Sequence, residues 1–127
     1  MDEQVFTLEE AQRLLPQLED VLLQIRRERM TVGRISPEVQ KAAKAACVGG
    51  GSPYGPRYIL ALEQILKSVE TIQDMGVVLK DPDKGLCDFP FRMNDRLVYL
   101  CWKLGEPRIE WWHEIHAGYT GRQPLDA

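Results

Sequence analysis

The sequence predicts an α+β fold: two long antiparallel helices plus a shorter helix, packed with a C-terminal antiparallel β-meander. Three observations carry this. Apolar residues recur at spacings of three and four from Leu8 to Ile25 and again from Ile59 to Val69, the period of a helix that buries one face. From Val77 onward the period changes to two, as in strands. A length of 127 residues, 44% hydrophobic and 28% charged, suits one domain with one modest core. Residues 1–127 are therefore expected as a single domain, helical over 1–76 and β-rich over 77–127.

Thr7 and Glu10 fit a capping box, in which the hydroxyl accepts an orphan amide and the carboxylate reaches back, so the first helix starts there. Leu8, Ala11, Leu15, Leu18, Leu22 and Ile25 form its stripe, which reaches about Met30. Pro16 lacks an amide hydrogen and predicts a kink near Gln12 to Pro16. Arg26, Arg27, Arg29 and Arg34 are diluted by Glu19, Asp20 and Glu28 and read as a solvated face rather than an anion site. Gly33 ends the helix in this reading, and Ser36-Pro37 starts the shorter, alanine-rich one, from Pro37 to about Cys47, packing through Ala42, Ala43, Ala45 and Ala46. Gly49 to Pro56 is a hinge by composition; it lacks the Lys-Ser/Thr of a phosphate loop. The second long helix carries Ile59, Leu62, Leu66 and Val69, widened by Ile65 and Ile72, and stops at Gly76.

Val77 to Lys80 reads as a strand, Asp81 to Gly85 as a turn, and Leu86 to Phe91 as a second strand whose Pro90 places it at an edge or a strand end. In the next strand Val98, Leu100, Trp102 and Leu104 share one face and Leu97, Tyr99, Cys101 and Lys103 the other, so it is central. Gly105-Glu106-Pro107 turns the chain into a last strand, from Arg108 to about His116.

The net charge of −3 gives no electrostatic reason to expect nucleic acid, whose phosphates are bound by clustered Lys and Arg. The start lacks the basic and apolar regions of a signal peptide, and no run approaches the roughly 18 apolar residues needed to cross a bilayer. A cytoplasmic location away from membranes is expected. Cys47, Cys87 and Cys101 are odd in number and lack C-x-x-C spacing, so neither a disulfide framework nor a zinc ribbon is suggested; Cys87 and Cys101 either face one another on adjacent strands or, the favoured reading, are two small buried thiols.

The stretches GLCDFPF, LVYLCWKLGEPRIEWWHE and AGYTGRQPL, together with FTLEEAQRLLPQLEDVL, resemble the bacterial family of uncharacterised proteins with domain of unknown function 2203. The resemblance spans nearly the whole chain. It implies a small, soluble, single-domain protein of helices and strands and brings no established activity. The family pattern has an acidic residue where this chain has His116.

The residues from Leu97 to Arg122, together with Asp88, contain the candidate site. Asp88, Glu106, His113 and Glu114 offer the oxygen and nitrogen ligands that suit a divalent transition metal ion. In a regular strand His113 and Glu114 point to opposite faces, leaving Glu110, Glu114 and His116 on one of them. Were Ile109 to His116 helical, or bulged near Trp112, then Glu110, His113 and Glu114 would converge as three ligands. The competing reading makes His113 and Glu114 satisfied polar groups that close the core. Gly118 to Arg122 reads either as an anion loop or as a tail that Arg122 pins to Asp88 or Glu106. Trp102, Trp111, Trp112, Tyr99 and Tyr119 cluster as interface residues do, and a sheet with helices on one side only leaves a face for self-association, so a homodimer is expected. Two functions follow: a small-ligand or metal-binding protein with its site near Glu106 to Glu114, or an interaction protein acting through the Trp/Tyr-rich surface without a metal. Nothing places a Ser or Cys beside a His as a nucleophile.

Overall fold

A computed structural model describes residues 4–45 and 55–126. The first helix, α1, spans Leu8–Ala45 and opens with the capping box: the Glu10 amide donates to Thr7 Oγ1 at 3.1 Å and the Thr7 amide to Glu10 Oε1 at 2.8 Å. That bond holds the Glu10 carboxyl below its ordinary value.

No third helix forms among the described residues. α1 runs through Pro16, Gly33 and Pro37 as one element, so the shorter helix expected from Pro37 is its C-terminal end. A helix-interior proline costs about 3 kcal/mol, whereas each large aliphatic side chain that becomes buried returns about 1.5–3. Leu15 and Leu18 flank Pro16 in the core, and Ile35, just before Pro37, is also buried. Continuing the helix buries these side chains, and packing outweighs the local break. The glycine-rich stretch up to Tyr54, Cys47 and the side chains of Ala42, Ala43, Ala45 and Ala46 lie outside the described residues.

The second helix, α2, spans Gly55–Asp74 and runs back along α1. Arg57 shares a cleft with Thr31, Ile35 and Glu38, and Gln64 shares one with Gln24 and Glu28. Its buried face is set by Ala61 and Ile72. Ile59, Leu62 and Leu66, expected to point inward, are exposed instead. α2 is apolar on two sides, and the small Ala61 allows the close approach to α1.

Five antiparallel strands follow in the order β1-β2-β3-β4-β5: Val78–Asp81, Leu86–Met93, Arg96–Lys103, Trp111–His113 and Gln123–Pro124. β3 is central, as its two apolar faces require. β2 is internal, and its Pro90 lies past the end of β1, whose pairing stops at Val78↔Asp88. There the Phe6 amide donates to the Pro90 carbonyl at 2.8 Å, so the proline sits where a ladder partner is missing on one side. Gly85 closes the β1–β2 turn at φ +67°, and an added Cβ would stand 2.5 Å from that of Leu104.

The last strand is shorter than expected. β4 ends at His113, the chain turns, and after a single 3₁₀ turn at Tyr119–Gly121 it returns as β5. Leu15, Leu18, Leu22 and Ile25 of α1 pack with Ile72, Phe89, Leu100, Trp102 and Ile109 to form the core between the helices and one face of the sheet.

Candidate metal centre

Register places the site. β2 and β3 pair Asp88 with Cys101, and β3 and β4 pair Tyr99 with His113 and Cys101 with Trp111. Because side chains alternate along a strand, these five project from the face opposite Phe89, Leu100 and Trp102. Asp88 and His113 are 1% exposed and Cys101 is fully buried.

His113 is held at both nitrogens. Its Nδ1 lies 2.7 Å from the Glu114 carbonyl oxygen, and its Nε2 lies 3.0 Å from Asp88 Oδ1. A carbonyl oxygen accepts, so Nδ1 carries a proton. One shared proton then decides the rest: either Asp88 is protonated and donates to Nε2, or Asp88 is a carboxylate facing an imidazolium. Burial pushes the Asp88 carboxyl above its ordinary value, opposed by His113, Lys80 and the Cys101 thiol that bonds to it. Burial thus disfavours the carboxylate form of Asp88, because desolvation penalises the charged form most. Burial, with the Asp88 charge second, pushes the Cys101 thiol up to about 12. Cys87 also rises to about 12 through burial, but it projects to the other face of the sheet, opposite Trp102.

Asp88, Cys101 and His113 present an oxygen, a sulfur and a nitrogen that all lie within 4.8 Å of one another. The order of the contacts runs from Cys101 to Asp88 to His113 to a backbone carbonyl, so the carboxylate stands between thiol and imidazole. A cysteine nucleophile needs the imidazole beside the sulfur and the carboxylate behind it. A thiol near pKa 12 with no exposure is moreover inert. In the folded protein at pH 8, Ellman's reagent is expected to leave Cys87 and Cys101 unmodified, and mass mapping of their peptides should find label after unfolding only.

Beside the cluster, Glu106 and Arg122 anchor the C-terminal segment. The Lys103 amide donates to Glu106 Oε1 at 2.8 Å, Trp102 Nε1 donates to the Glu106 carbonyl at 3.0 Å, and Arg122 pairs with Glu106 Oε1 at 3.0 Å. The Arg122 guanidinium lies 4.8 Å from the ring centre of Trp111 and 4.7 Å from that of Tyr119, and also donates to the Cys101 carbonyl at 3.4 Å. Of the two partners expected for Arg122, Glu106 is the one it meets, and the segment 119–122 is thereby drawn against the Cys101 side of the sheet.

The remaining sequence candidates diverge. Glu110 pairs with Arg108 at 3.0 Å and Glu114 with Arg96 at 3.2 Å, both at the surface. The helical turn or bulge that would unite them with His113 is not formed, because β4 is regular where it pairs with β3 and then stops. The convergent set joins His113 to Asp88, both expected ligands, and needs Cys101, whose spacing marks it only as a buried thiol. A signal was present: Asp88 is the single charged residue in the run from Leu86 to Phe91, beside a strand apolar on both faces. The aromatic cluster is used largely inside the chain, with Trp102 buried and Trp112 packed on the core.

Helices on one face of an antiparallel sheet and an aspartate–thiol–imidazole cluster buried on the other define an α+β protein with a built polar centre. The chain belongs to the family of the uncharacterized conserved protein DUF2203, whose model matches residues 4–125. No curated protein matches it, and no solved structure does. No described helix is long and apolar enough to cross a membrane.

Proposed function

We propose that the protein binds a divalent transition metal ion of the zinc class through Asp88, Cys101 and His113. The observation that carries this is the placement of His113. Its Nδ1 faces a backbone carbonyl and its Nε2 faces Asp88, with the Cys101 sulfur within 4.8 Å, the arrangement in which an outer acceptor orients a metal-bound imidazole. Charge supports the same reading. A thiolate and a carboxylate neutralise a dication, so the loaded centre carries no net charge into a fully buried site. Oxygen, nitrogen and sulfur together suit zinc better than magnesium or calcium. Metal binding displaces protons from Asp88 and Cys101, so affinity rises with pH.

The test is elemental analysis of untagged protein, followed by titration of the metal-free form with cobalt(II). One equivalent of metal is expected, with a thiolate-to-cobalt charge-transfer band that Cys101→Ser abolishes. Zinc at about 100 times its Kd should add roughly 2.7 kcal/mol of stability. Protein that contains no stoichiometric metal, gives no band and does not melt higher with millimolar zinc has a proton-sharing structural pair in this position instead.

A further inference from the structure

We propose that the outer face of α2 is the contact surface of a homodimer, in which the helical hairpins of two copies pack as a four-helix layer. A helix on the surface of a globular protein is polar opposite its buried stripe. α2 is not. Ala61 and Ile72 are buried, while Ile59, Leu62 and Leu66 are 56%, 38% and 65% exposed along one side of the helix. Among the described residues the α1–α2 hairpin also buries few aliphatic side chains at this end. α1 reaches the sheet as far as Arg29, which holds Asp83 in the β1–β2 turn at 2.7 Å. Beyond it, Ile35 and Ala61 are the buried aliphatic side chains among the described residues.

The spacing of the stripe selects a second copy as its partner. Ile59, Leu62, Leu66 and Val69 are separated by three, four and three residues, the alternation of a two-helix seam. Laid antiparallel on itself about a two-fold axis at the level of Gln64, the stripe sets Leu62 of one copy against Leu66 of the other, and Ile59 against the part of Val69 that its own core leaves uncovered. Both pairs occur twice, as a self-complementary interface requires. The size is adequate. Twenty residues span about 30 Å, and two helices side by side are about 20 Å wide, so the hairpin offers a strip on the order of 600 Å² in plan. Its accessible surface is larger than its plan and approaches the roughly 800 Å² per partner of a stable interface. The same face continues into a cleft of 540 Å³ at the C-terminal end of α2, walled by Val69, Val77, Leu79 and Pro90.

The pairing has a register, and the register can be tested. Light scattering coupled to size exclusion should give wild-type protein a mass twice the 14.6 kDa of the chain. Leu62→Lys and Leu66→Glu, each placed at an exposed position, should each halve that mass while leaving the far-ultraviolet circular dichroism unchanged. Mixing the two variants should restore the dimer, since the introduced lysine of one copy then faces the introduced glutamate of the other and the second contact remains Leu with Leu. Wild-type protein that stays monomeric at 100 µM overturns the proposal. So does a dimer that survives both substitutions, or one that Tyr119→Ala dissociates while Leu66→Glu does not. Variants that are monomeric apart and remain so when mixed overturn the antiparallel pairing.

Discussion

Replacing His113 with Ala is expected to lower stability by about 3–5 kcal/mol, a fall in Tm of about 10–20 °C for a chain of this size. The substitution leaves the Asp88 carboxyl and the Glu114 carbonyl without their partner in a site closed to water, and an unsatisfied buried polar group costs its full desolvation penalty. Asp88→Asn separates charge from shape. With Nδ1 of His113 committed as a donor, Nε2 accepts, and the asparagine amide can donate to it as the protonated aspartate does. Asp88→Asn should therefore cost about 1 kcal/mol or less in the metal-free protein while abolishing metal binding. Its pH dependence differs too. The Asp88 carboxyl is raised in the folded state, so above its ordinary 3.8 the unfolded chain has released a proton that the folded chain retains. The stabilisation from that proton is complete below 3.8 and is lost as pH rises through the folded value. Urea titrations across this range should show wild-type stability falling with pH relative to Asp88→Asn. Parallel curves for the two proteins would show that Asp88 titrates normally and that the buried neutral pair is wrong.

Arg122→Ala is the second large effect, about 2–3 kcal/mol. It removes the pairing with Glu106, whose side chain is 24% exposed, together with the stack between Trp111 and Tyr119. The Glu106 carboxylate is left in a half-buried position, and the segment 119–122 loses its anchor to the sheet. Hydrogen exchange should rise in β5 and its flanks before it rises in β2 and β3, because β5 joins the sheet through two residue pairs alone. Arg122→Lys is expected to recover less than half of the loss. A lysine ammonium keeps the charge but lacks the planar guanidinium that lies against two rings while donating to Glu106 and the Cys101 carbonyl. Full recovery by lysine would mean that charge alone holds the tail.

Much of the fold is written locally. The capping box at Thr7 and Glu10, the stripe from Leu8 to Ile25, the change of period at Val77 and the central place of β3 all follow from the sequence. Each rests on residues within one or two turns of helix, or on neighbours in one strand. Where local rules and packing disagreed, packing won. Pro16 and Pro37 do not interrupt α1, because the side chains around them gain more from burial than the helix loses in hydrogen bonds. α2 buries Ala61 and Ile72, packs Val69 on the core and leaves Ile59, Leu62 and Leu66 outward, a split that hydrophobicity alone does not rank.

The sequence by itself determined the α+β class, the family and the neighbourhood of the site, since His113, Asp88, Glu106 and Arg122 are all legible as polar groups in an apolar context. Tertiary structure decided which of them meet. Asp88 and His113 are 25 residues apart and lie on strands that are not neighbours in the sheet; β3 between them contributes Cys101. Their convergence depends on the register of two successive strand pairs. Register is set by turn lengths and by the packing of every strand against α1, and a slip of one residue would turn each side chain to the other face. Glu110 and Glu114, closer to His113 in sequence, end at the surface with Arg108 and Arg96. Strand alternation separates near neighbours and joins distant ones, so a three-strand cluster is fixed by the sheet as a whole.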